Sequence, residues 1–80
     1  MTFEKVLKKH KIDLDGIVKV EVNVDDNKIP VEQWEYFKGK KEIMIFLYED
    51  GWLLIQEVKR NEDKSVVEEK EIFQDSIEIE

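Results

Sequence analysis

With 80 residues, 41% of them hydrophobic and 41% charged, the chain has the makeup of a single folded domain over 1–80, not of a disordered segment. Twenty acidic residues against thirteen Lys and Arg leave a net charge of −7, the wrong sign for binding nucleic acid or an anionic membrane surface. There is no cysteine, and His10 is the single histidine, which excludes a disulfide framework and an ordinary zinc site.

Thr2 is a helix-capping residue, and Phe3, Val6, Leu7 and His10 recur at i, i+3, i+4 and i+7, which predicts a helix over 2–11. Asp13-Leu14-Asp15-Gly16 ends it. The stretch resembles the start of a calcium loop, but a further oxygen-bearing position is missing and Val24 stands where the glutamate would fall, so it reads as a turn. Val18, Val20, Val22 and Val24 then alternate with Lys19, Glu21 and Asn23, the period of a strand, which Asp25-Asp26-Asn27 closes. After Pro30, the spacing of Val31, Trp34 and Phe37 predicts a short second helix over 31–38, with Gly39 at its C-terminal end, although Trp34 and Tyr36 also alternate.

Asp50-Gly51 between Ile43–Glu49 and Trp52–Val58 predicts a hairpin, with Glu49 opposite Trp52. That register puts Ile43, Ile45, Leu47, Trp52, Leu54 and Val58 on one face and Met44, Phe46, Tyr48, Leu53 and Ile55 on the other. Both faces are apolar, so both call for cover. A charged turn at 60–64 leads to a strand over Ser65–Phe73, a turn at Gln74-Asp75 and a last strand over Ser76–Glu80.

The expected fold is α+β: an N-terminal amphipathic helix on a five-stranded, mainly antiparallel meander, with the short helix at 31–38. The helix covers one face. A curl of the sheet toward a small barrel, the second helix or a partner is left to cover the other.

Chemistry-bearing motifs are scarce. His10 sits among Lys8, Lys9 and Lys11 with no nucleophile arranged around it, and Lys38-Gly39-Lys40-Lys41 lacks the residues of a phosphate loop. No catalytic residue, cofactor or metal is expected, and the chain does not read as an enzyme. The longest apolar run, Ile43–Tyr48, is far short of the roughly 20 residues that span a membrane. No signal segment opens the chain, so the expected location is cytoplasmic.

Charge carries the main functional signal. Residues 1–11 hold Lys5, Lys8, Lys9 and Lys11 against Glu4, a net of +3. Residues 65–80 hold five glutamates and Asp75 against Lys70, a net of −5. A turn at Gln74-Asp75 would set Glu71 opposite Glu78 and Glu69 opposite Glu80, like charges that a sheet keeps only as solvated edge charges or for use.

The leading expectation is a small non-catalytic protein-binding module. Its acidic surface (Glu69, Glu71, Glu78, Glu80) would engage a basic, nucleic-acid-binding site on a protein partner. In size and charge it is similar in general character to small phage or mobile-element inhibitors. The alternative is a self-associating domain that forms a homodimer through the apolar hairpin around Met44, Phe46, Tyr48 and Trp52. Direct nucleic-acid binding through the first helix and Lys38, Lys40 and Lys41, with Trp34, Tyr36 and Phe37 as stacking rings, runs against the net charge.

Overall fold

The computed structural model describes residues 1–22 and 30–78. Helix α1, Phe3–Lys9, opens on Thr2, whose hydroxyl accepts from the Lys5 amide at 3.3 Å. Glu4 in its first turn and Lys8 and Lys9 in its last complement the helix dipole. The helix stops short of the expected 11 because Lys11 turns left-handed (φ 60). The Ile12 amide then donates to the Leu7 carbonyl at 2.9 Å and the Lys11 amide to that of Lys8 at 3.1 Å. These two bonds form a Schellman motif, with buried Ile12 against buried Leu7 as its apolar contact.

A 3-10 turn, Leu14–Gly16, follows; the Asp13 carboxylate accepts from the Asp15 amide at 3.0 Å. Five strands come next: β1 Val18–Lys19, β2 Glu32–Lys38, β3 Lys41–Leu47, β4 Trp52–Arg60 and β5 Val66–Ser76. They lie in chain order in one open antiparallel sheet, so the meander holds and the curl into a barrel does not occur.

Strand β1 is shorter than the valine alternation predicted, extended only by a bond from the Val20 amide to the Gln33 carbonyl. The expected continuation through Asn23 and Val24 and the turn at Asp25-Asp26-Asn27 lie outside the described residues.

The expected helix at 31–38 is strand β2. Period two wins over spacing three because Trp34 and Tyr36 pack together against the core beside Ile45 and Ile43, and aromatic residues favour a pleated surface. Gly39 is therefore no helix end. It takes φ +65 as the first residue of a two-residue loop between Lys38 and Lys41, where a II′ hairpin needs its glycine.

The β3–β4 hairpin forms at Asp50-Gly51 but one residue out of the expected register. Leu47 opposes Leu53, and the Tyr48 amide donates to the Trp52 carbonyl at 2.9 Å. The loop is Glu49-Asp50-Gly51, with Gly51 at φ 86, the arrangement of a turn plus a glycine bulge. Leu53 and Ile55 therefore join Ile43 and Ile45 under Val6, Leu7 and Ile12 of the helix side, and these seven residues form the buried core.

The expected hairpin at the C-terminus is absent. β5 runs straight through Gln74 and Asp75, which oppose Leu54 and Leu53. Two bulges, where Val67 and Ile72 are the extra residues, absorb the misfit with β4. Beyond β5 the Ile77 amide bonds the Gly51 carbonyl, and Glu78 bridges to Thr2 in parallel.

Candidate interaction surface

The sheet face turned away from α1 is built in rungs across four strands. Gln33, Phe46, Leu54 and Gln74 form one. Glu35, Met44, Gln56 and Glu71 form the next, and Phe37, Glu42, Val58 and Glu69 the third. Gln33, Met44 and Val58 are buried, Phe46 and Leu54 half-buried, and Phe37 is 60% exposed. An apolar centre is thus framed by carboxylates.

Of the residues expected to form the acidic surface, Glu69 and Glu71 stand on this face, two residues apart and exposed. Glu78 does not join them, since its carboxylate lies 3.6 Å from the Met1 ammonium group on the α1 side of the chain. Glu80 lies outside the described residues. The like-charge pair Glu71–Glu78 accordingly does not form, and the expected pair Glu69–Glu80 lies outside the described residues. Glu71 opposes Gln56 and Glu69 opposes Val58, so neither carboxylate meets another directly across the ladder.

The apolar hairpin set fares differently. The shifted register brings Trp52 onto the same face as Met44 and Phe46, with Tyr48 beside it across the loop. Trp52 Nε1 donates to Gln74 Oε1 at 3.3 Å, and Gln74 Nε2 donates to Glu71 Oε1 at 2.5 Å. This chain of bonds ties the apolar corner to the acidic strand and orients Glu71. The sequence does not mark Gln74 for this role, since it falls at the expected turn.

Charge segregates by face. Among the described strand residues, Glu35, Glu42, Glu69 and Glu71 share the far face with one cation, Arg60, which binds Glu42 through Nε (2.7 Å) and Nη2 (2.9 Å). Glu42 holds the Arg60 pKa above its ordinary value by accepting from it. On the α1 side, Lys41 pairs with Glu57 at 3.7 Å and Lys59 with Glu68 at 3.6 Å, while Lys70 opposes Glu57. Among the described residues, no Lys or Arg lies within ion-pair distance of Glu69 or Glu71.

Other chemistry finds little support. His10 caps α1, with its ring 5.7 Å from that of Phe73. Among the described residues, no group of three His, Asp or Glu is placed to hold a metal ion. A cleft of about 680 Å³ at the Gly39 end of the sheet is lined by Lys40, Lys41, Lys59 and Lys70, but the acids Glu57 and Glu68 stand among them. The aromatic platform expected for nucleic acid is split: Trp34 meets Phe3 in a tilted contact (centroids 4.8 Å) on the α1 side, whereas Phe37 projects from the opposite face. Among the described residues, no helix is long and apolar enough to cross a membrane.

In comparisons with protein-family models, with curated proteins and with solved structures, nothing matches this chain.

Proposed function

We propose that the chain is a non-catalytic protein-binding module whose acidic sheet face engages a basic surface of a protein partner, of the kind that otherwise receives nucleic-acid phosphates. The observation that carries this reading is the pair Glu69 and Glu71. They stand at alternate positions of an exposed strand, about 7 Å apart along it, with no ion-pair partner among the described residues. The strand lysines Lys38, Lys41, Lys59 and Lys70 lie on the other side. Such a surface attracts a cationic partner at long range and repels polyanions.

The homodimer reading is weaker on the same ground. A two-fold contact through the far face would bring Glu35, Glu69 and Glu71 toward their own copies.

Selection of binders from a random peptide library tests the reading. Enriched sequences should be rich in Lys and Arg, lose affinity steeply with salt, and fail against a Glu69→Lys/Glu71→Lys variant. Neutral sequences that bind this variant equally well would refute it.

A further inference from the structure

β5 is the terminal strand of the sheet, and among the described residues nothing pairs with its outer row of backbone amides and carbonyls. Natural proteins keep such edges short, or blunt them with bulges and charge. β5 is eleven residues long, and its two bulges leave two regular windows, Phe73–Ser76 and, between the bulges, Glu68–Glu71. Every residue in the Glu68–Glu71 window is exposed. Glu68 and Lys70 point to the α1 side, Glu69 and Glu71 to the far side.

Building on the acidic-face reading, we infer that β5 accepts a short, extended, basic segment of a protein partner as a sixth strand. The segment forms main-chain hydrogen bonds over Glu68–Glu71 and sets Lys or Arg at two alternate positions against Glu69 and Glu71.

Charge selects this occupant. A second copy of β5 would bring three glutamates and one lysine against the same set, so self-pairing is opposed by like charges. An acidic or neutral strand gains no ion pair on the far side, where among the described residues no cation pairs with Glu69 or Glu71. The bulges at Val67 and Ile72 interrupt the ladder at both ends, which restricts the added strand to a few residues and bars long sheet extension.

The test uses the full chain and end-blocked peptides of alternating Lys and Thr, at low salt. The parent peptide should bind and slow hydrogen exchange of alternate amides within Glu68–Glu71. Two N-methylated isomers keep its charge, one blocked at every Lys amide and the other at every Thr amide. One isomer should weaken binding about tenfold or more, because only one set of amides faces β5, and the other should bind like the parent. If both isomers bind like the parent and no β5 amide is slowed, strand addition is overturned while the acidic-face reading stands. If the parent does not bind at all, both are overturned.

Discussion

Arg60 of β4 grips Glu42 of β3 with two guanidinium nitrogens and spends a third, Nη1, on the Lys64 carbonyl at 2.9 Å. One side chain thereby ties two strands to the loop that leads into β5. Glu42 is 9% exposed, so Arg60 supplies hydrogen bonds that little water is there to replace. Replacing Arg60 with Ala should cost about 1–3 kcal/mol, the range for a charged hydrogen bond lost at a poorly solvated site. Glu42→Gln should cost less, since the amide still accepts one bond. A double-mutant cycle by urea unfolding that shows no coupling between the two positions would mean that the pair adds nothing to stability.

Lys11 and Gly39 make opposite forecasts from the same backbone rule. Lys11 carries a side chain at φ 60, where a Cβ is crowded, at the C′ position that glycine prefers. Lys11→Gly should stabilise the chain by about 0.5–1 kcal/mol, net of the added freedom of the unfolded state. Gly39 has open space around its missing Cβ, yet sits at φ +65. Gly39→Ala should therefore destabilise by about 1 kcal/mol or more through backbone strain alone, and Gly39→Asn by a similar amount, since the first position of a II′ turn lies outside the left-handed well that asparagine tolerates. Thermal melts of the three variants rank them, and a stabilised Gly39→Ala would contradict the turn geometry.

The first helix was legible because capping, periodicity and charge all agree at Thr2, Val6, Leu7 and Lys9. Where local signals compete, tertiary packing decided. Trp34, Tyr36 and Phe37 fit either period, and the core beside Ile43 and Ile45 selects the strand. Asp50-Gly51 marks a hairpin in both two- and three-residue loops, since Gly51 takes positive φ in each, so the composition could not set the register. Gln74-Asp75 is not a favoured hairpin pair, and β4 continues opposite it to Trp52 and holds it extended. The acidic pair Glu69 and Glu71 was visible as charge. Its solitude on one face was not, because that depends on which side the bulges place each residue.

Asp63 accepts from both the amide and the hydroxyl of Ser65, and these bonds hold its carboxyl below the ordinary value of 3.8. A depressed folded pKa adds stability that is present above the unfolded value and lost as pH falls through the folded one. Full exposure keeps that contribution small. The side-chain NMR titration of Asp63 should have its midpoint below 3.8, and Ser65→Ala should move it up toward that value. An unmoved midpoint would show that the hydroxyl bond is absent in solution.

Leu53 and Leu54 are neighbours with opposite fates, and they report directly on the register of the central hairpin. Leu53 is 0% exposed in the core under α1, while Leu54 is half-buried on the far face between Phe46 and Gln74. Leu53→Ala removes buried methyl groups and leaves a cavity, which costs about 2–5 kcal/mol. Leu54→Ala gives up only partial burial, about 1 kcal/mol. Had Glu49 opposed Trp52, Leu54 would lie beneath the helix and the order would reverse. Urea midpoints at unchanged m-value measure the difference, and a costlier Leu54→Ala would show that the loop holds two residues, not three. The same shift would carry Trp52 off the far face and away from Gln74 and Glu71, so the comparison also tests the frame on which the acidic surface is built.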